Sequence, residues 1–253
     1  MKNFKKLFAL ILILALSASL YSCSGENVVL DEIVTHEVSG EIRSLDISVN
    51  ASSFVIKQDD TFSVESNLIY LNVTVEDGVL KIKDEAKPNS KYDGARLTIG
   101  IPSGASFDIV SIMTGAANLE SVGITTKALT LALGAGSVRF DSLTVAEGAA
   151  IGGGAGSIEI GGGRIKNLAL EMGVGELHLN SELTGSSNLV LGLGEAKISL
   201  LGGEASYKID YERGIVSFEI DGEEITANEG SYGSGGSLVT LIGGLGELTV
   251  MFD

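Results

Sequence analysis

The sequence predicts an all-β fold, a single-stranded parallel β-helix (a β-solenoid) with 19–20 residues per rung. Three observations point to it. A Gly-x-Gly signature recurs at Gly134/Gly136, Gly154/Gly156, Gly173/Gly175 and Gly192/Gly194, in steps of 20, 19 and 19 residues, and again at Gly244/Gly246. Aliphatic residues hold fixed places around each signature. The chain of 253 residues has 34 glycines, two prolines and no tryptophan, and no amphipathic helical pattern follows its apolar start. A unit of this size cannot bury its own apolar face, so successive units must stack.

Taken in chain order, residues 1–22 read as a signal peptide. Three lysines lie within the first six residues, and Leu7 to Leu20 is an apolar run of 14 residues, short for a bilayer span. Leu20-Tyr21-Ser22-Cys23 resembles a bacterial lipobox, although Tyr21 is larger than that pattern usually carries. The resemblance implies that Cys23 becomes the lipidated first residue of the mature protein, held at the extracytoplasmic face of the cell membrane by acyl chains such as palmitate. An ordinary cleaved signal with a bystander cysteine and an uncleaved anchor are the alternatives. Cys23 is the one cysteine, so no intramolecular disulfide can form. Residues 23–40 read as this lipidated residue and a tether, and residues 41–253 as one solenoid domain. Signal cleavage removes Lys2, Lys5 and Lys6 and no acid, which makes the formal charge of −16 more negative by three. So acidic a body repels nucleic acid and anionic lipid headgroups, and nucleic acid is not an expected partner.

From Leu45 to Ile101 short alternating runs read as strands, with Asp77-Gly78 as a hairpin turn and 84–95 as a polar loop. In the repeats, four columns are nearly all aliphatic. They lie three and five positions before the first glycine (Leu131, Ile151, Leu170, Leu189; Leu129, Leu168) and four and six after it (Val138, Ile158, Leu177; Phe140, Ile160, Leu179). Alternate residues of a strand share a face, so these columns point inward as ladders. The glycines turn the corner between the two strands of a rung, where positive φ is needed. Gly115-Ala116-Ala117 is a degenerate first copy. The 52 residues from Gly192 to Gly244 hold about two irregular rungs, with 230–236 as a flexible loop. About nine rungs at roughly 4.8 Å each make a rod near 40 Å long. The crossover rule for parallel strands predicts right-handed coiling.

With Ile101-Pro102-Ser103-Gly104 leading into the repeats and Ile242-Gly243-Gly244-Leu245-Gly246-Glu247-Leu248-Thr249-Val250 closing them, the chain resembles the bacterial "putative adhesin" family of DUF4097-type domains, from about Arg43 to Phe252. The resemblance implies a β-helical extracytoplasmic domain, often tethered to the envelope and sometimes encoded beside envelope-stress regulators. It carries over no catalytic residues.

The residues themselves offer little for catalysis. A phosphate-cradling role for the glycines needs a helix after them, and a strand follows instead. Glu176 and Glu195 fall one rung apart, close enough for a pair of hydrolytic carboxylates, but no long loop lies nearby to build a substrate cleft, and a solvated polar column after each corner is the favoured account. Glu120, Arg139, Glu159, His178 and Lys197 form an outward column suited to cross-rung ion pairs. His36 falls in the tether. Two histidines and one lipidated cysteine leave scant material for zinc or a nucleophilic triad, so no metal and no cofactor are expected. The columns two and four before the glycine contain Met113, Thr130, Ala132, Ala150, Ala169 and Val190, a face of small, mostly uncharged residues on an acidic protein. This is the candidate partner face, unless the N-terminal strands or the 201–243 segment cover it. The expected function is non-enzymatic binding or adhesion at the bacterial envelope, to a glycan or an envelope protein. The alternatives are an accessory modulator of envelope-stress signalling and, third, a polysaccharide-active enzyme.

Overall fold

The computed structural model describes residues 29–50, 53–86 and 92–253 of the chain. The signal peptide, Cys23 and the start of the tether lie outside the described residues. Nine rungs stack in parallel to form a β-solenoid. The third to seventh follow chain order: Phe107–Ser121, Ile124–Phe140, Leu143–Ile160, Arg164–Lys166 with Leu168–Thr184, and Ser186–Leu200.

The two ends of the stack break that order. Ser44–Val49 and Ser53–Asp59 lie directly on the third rung as the second, while Val79–Asp84 and Arg96–Pro102, later in the chain, form the first. At the other end, Ser237–Ile242 and Leu245–Phe252 sit directly on the seventh rung as the eighth. Tyr207–Glu212 and Ile215–Ile220, earlier in the chain, form the ninth. The expectation of two irregular rungs between the fourth and fifth Gly-x-Gly copies is thereby corrected: one rung lies there in sequence, and it stacks outside the last copy. The reason is the corner. Gly244 and Gly246 approach the backbone of Gly192 and Gly194 so closely that a Cβ on either would collide with it. The ninth rung turns through Gly214-Ile215-Val216 and lacks the second glycine, so it cannot take the place of the eighth.

Antiparallel strands close both ends. Ser63–Leu68 pairs with Arg96–Pro102, Leu30–His36 pairs with Ser63–Leu68, and Leu71–Glu76 pairs with Val79–Asp84 through the Asp77-Gly78 turn, where φ is 53° and 79°. At the far end Glu229–Gly233 pairs with Tyr207–Glu212, and Glu223–Glu224 with Ile215–Ile220. Two readings of the sequence change here. Leu30–His36, within the segment read as a tether, is an edge strand, and Glu229–Gly233 is a strand within the stretch read as a flexible loop. Its Tyr232 ring stacks on Phe252 at 6.0 Å.

All four predicted columns point inward. Ile112, Leu131, Ile151, Leu170 and Leu189 are fully buried, and so are their counterparts around Val110, Leu119 and Phe140. The rung also has a third, short side that the sequence reading omitted. Phe107, Thr126, Val145, Ile165 and Leu183 stack there in register and close the core into a triangular section. Tyr207 finishes that side: its hydroxyl accepts a bond from the Leu183 amide at 3.1 Å and donates to the Leu201 carbonyl at 2.5 Å.

Candidate functional site

The Gly-x-Gly corners are structural, and their two glycines differ. At the first position φ is ordinary, and the constraint is close approach: a Cβ on Gly173 would meet the Gly154 carbonyl oxygen at 2.5 Å. At the second position φ is left-handed, from 109° at Gly136 to 138° at Gly194 and Gly246. A Cβ there would also strike the carbonyl of the preceding rung, as Gly175 would strike Gly156 and Gly194 would strike Gly175. The expectation of positive φ for both glycines therefore holds for Gly136, Gly156, Gly175, Gly194 and Gly246. It is corrected to close contact for Gly134, Gly154, Gly173, Gly192 and Gly244.

The candidate partner face is one flat side of the solenoid. The outward positions of the third to eighth rungs run from Ile109, Ser111 and Met113 through Ala132, Ala150 and Ala169 to Val190 and Ile242, and Glu171 is the one charge among them. Six rungs make a surface roughly 24 Å long. Among the described residues no strand packs across it, because the N-terminal strands and the 207–233 segment stack at the ends. Exposure is uneven. Met113 is exposed and Thr130, Ala132 and Val190 are half-buried, whereas Ala150 and Ala169 keep 8% of their surface because neighbouring rungs crowd so short a side chain. Glu171 is half-buried, and burial raises its pKa above the usual carboxylate value.

The charged columns lie on the other long side. Arg139 Nη1 bonds Glu159 Oε1 at 2.9 Å across the rung, as the outward column predicts, and its Nε lies 3.6 Å from Asp141. Exposed pairs of this kind contribute only a few tenths of a kcal/mol to about 1 kcal/mol. Lys197 instead pairs with Glu195 of its own rung at 2.5 Å. This hydrogen bond, with the charge of Lys197, lowers the Glu195 pKa. Glu176, Glu195 and Glu247 stack in register as a ladder of carboxylates, exposed or half-exposed, and Glu195 and Glu247 line a small, partly open pocket. Beneath the same corners lies a void of about 20 Å³. A groove of about 600 Å³ opens at the corner between Tyr92–Arg96 and Ala116–Asn118, and Asp93 is the one acid among its described lining residues. A two-carboxylate glycosidase needs a facing pair. No group of three or more His, Cys, Asp or Glu among the described residues is placed to hold a metal ion.

Two features went unread in the sequence. Asp84 is a buried carboxylate in a polar knot: it accepts bonds from the Tyr92 hydroxyl, from Asn50 Nδ2 at 3.3 Å and from the Ala86 amide at 2.9 Å. Burial, followed by the bond to Asp84, pushes the Tyr92 phenol pKa up. The knot ties Asp84, Ala86 and Tyr92 to the corner of the second rung at Asn50, which lies too far from them in sequence to be recognised as a partner. His36 also differs from expectation. It lies in an edge strand and is half-buried, its Nε2 has no partner among the described residues, and burial lowers its pKa.

Comparison with solved structures gives matches at low sequence identity. A putative adhesin from Parabacteroides distasonis shares 14% identity, with 91% of this chain and 100% of that one covered, at a TM-score of 0.41. A putative cell adhesion protein from Clostridium sporogenes shares 14%, with 88% and 99% covered, at 0.36. A putative lipid binding protein from Parabacteroides distasonis shares 14%, with 87% and 96% covered, at 0.40. No curated protein matches the chain. Residues 23–241 match the Toastrack DUF4097 family, spanning the glycine corners through the seventh rung and most of the terminal segment, and the chain belongs to that family.

Proposed function

We propose that this protein is a non-enzymatic binding module, held by a lipid on Cys23 at the extracytoplasmic face of the bacterial membrane, where it meets a glycan or another envelope protein. One observation carries the reading: an acidic solenoid of formal charge −16 keeps a flat side six rungs long with a single charge on it and, among the described residues, no strand across it. Flat sheet faces bury area against a partner without large side-chain rearrangement, and like charges would oppose a close approach elsewhere on the body. Among the described residues Glu176 and Glu247 are exposed and in no ion pair, and the pocket that Glu247 lines holds only about 20 Å³, which favours binding over hydrolysis. The test is an array of bacterial and host glycans and envelope proteins probed with the protein, with product analysis of every bound glycan. Binding without turnover is the expected result; cleavage of any glycan overturns the reading.

A further inference from the structure

The residue after the first glycine of each corner points out of the solenoid, and its size changes along the rod. It is alanine at 116, 135 and 155, then Val174, Leu193, Leu245 and Ile215 in register on the sixth to ninth rungs. These four aliphatic side chains are 50%, 49%, 51% and 79% exposed. Glycines without side chains flank Val174, Leu193 and Leu245 on both sides, and Gly214 precedes Ile215. Single exposed leucines are unremarkable, but four on consecutive rungs form a continuous apolar ridge about 14 Å long. Alanine serves this position on three other rungs, so folding does not demand the larger residues.

The borders of the ridge define what can cover it. Glu176, Glu195 and Glu247 line one side, and Glu171 and Glu212 lie on the other. Of the cations nearby, Lys197 is engaged by Glu195, and Arg213 Nη1 donates to the Ile225 carbonyl at 3.2 Å. A second copy of this chain would bring the same acids onto these acids, and an anionic bilayer would be repelled likewise. The rung step of about 4.8 Å is close to the 5.4 Å pitch of an α-helix, so a helical apolar stripe laid along the ridge offers about one side chain to each rung. We propose that the ridge of Val174, Leu193, Leu245 and Ile215 docks a basic amphipathic segment of a protein partner, with aliphatic side chains on the ridge and Lys or Arg on the flanking glutamates. This site is separate from the flat face and stands whether or not that face binds.

The probe is a synthetic amphipathic Leu/Lys helix, with a Leu/Glu helix of the same pattern as control, titrated into the intact protein at physiological salt. The wild type binds the Leu/Lys helix and not the Leu/Glu one. Leu193→Ala with Leu245→Ala keeps every charge and installs the residue used at the same position on earlier rungs. It weakens binding by on the order of tenfold or more. Glu176→Gln, Glu195→Gln and Glu247→Gln together weaken it too and flatten its salt dependence. Unaltered affinity in the folded alanine variant overturns the proposal, since the attraction would then be charge alone. Equal binding of the Leu/Glu helix, adsorption to phosphatidylglycerol vesicles through the ridge, or a wild-type dimer that the alanine variant dissolves overturns it as well.

Discussion

Gly175→Ala isolates what the corners contribute. The added methyl sits at φ 137°, a left-handed conformation that L residues resist, at a cost of about 1–3 kcal/mol. It also falls on the backbone of the rung below, 2.8 Å from the Gly156 carbonyl carbon and 3.0 Å from its nitrogen, and closer still to the oxygen. Backbone cannot rotate away as a side chain can, so the two corners must separate and lose about one ladder hydrogen bond, worth about 1 kcal/mol, together with local packing. Strain and the lost bond sum to about 2–4 kcal/mol before packing, or a fall in Tm on the order of 10 °C for a domain of this size. Two companions divide the cost. Gly173→Ala meets the Gly154 oxygen at 2.5 Å without backbone strain and falls between wild type and Gly175→Ala. Gly222→Ala has φ 79° but nothing within 4 Å of its Cβ, so it costs only about 1 kcal/mol. Thermal unfolding followed by circular dichroism gives the order. A Gly175→Ala midpoint equal to that of Gly222→Ala would refute the nesting of corner on corner.

Two further outcomes follow from burial. Ala196 occupies an inward column otherwise filled by Leu119, Val138, Ile158, Leu177 and Leu248, and the void of about 20 Å³ beside it is lined by Met172, Leu191 and Val216. Ala196→Val should fill it and stabilise by about 0.5–1 kcal/mol, read as a higher Tm; a lower Tm would mean the site is already full. Burial holds the Glu171 pKa above its value of 4.5 in the unfolded chain. Its contribution to stability is therefore fully present below pH 4.5 and lost as pH rises through the folded value. Glu171→Gln should raise Tm relative to wild type at pH 7 and lose the advantage near pH 4; a difference independent of pH would contradict the assignment.

The long sides of the solenoid were legible because two periods coincide there. Alternation along a strand and the repeat of 19–20 residues place Leu131, Ile151, Leu170 and Leu189 in one column, and neither signal alone would do so. The third side was not legible. Three-residue strands such as Arg164–Lys166 are too short to show alternation, and the spacing of Thr126, Val145, Ile165 and Leu183 drifts from one rung to the next. Rung order at the ends was hidden for a different reason. It depends on which corners nest, a contact between backbones that leaves its mark only as the missing glycine at Val216. The strand Glu229–Gly233 overlaps the 230–236 stretch read as a loop because, apart from Tyr232, its side chains are exposed and it carries no hydrophobic run. The flat face could be found from composition, but its accessibility depended on where the terminal segments stack. The ridge escaped notice because the glycines around Leu193 and Leu245 draw attention to the turn and away from the residue it displays.

The most direct measurement of the binding account compares wild type with Ala150→Lys/Ala169→Lys for attachment to bacterial envelope material, alongside circular dichroism of both. The two lysines leave the inward ladders of Ala149, Ile151, Leu168 and Leu170 untouched and place bulk and desolvated charge in the middle of the flat face. A folded variant that no longer binds is the predicted result. Undiminished binding by a folded variant would contradict the account.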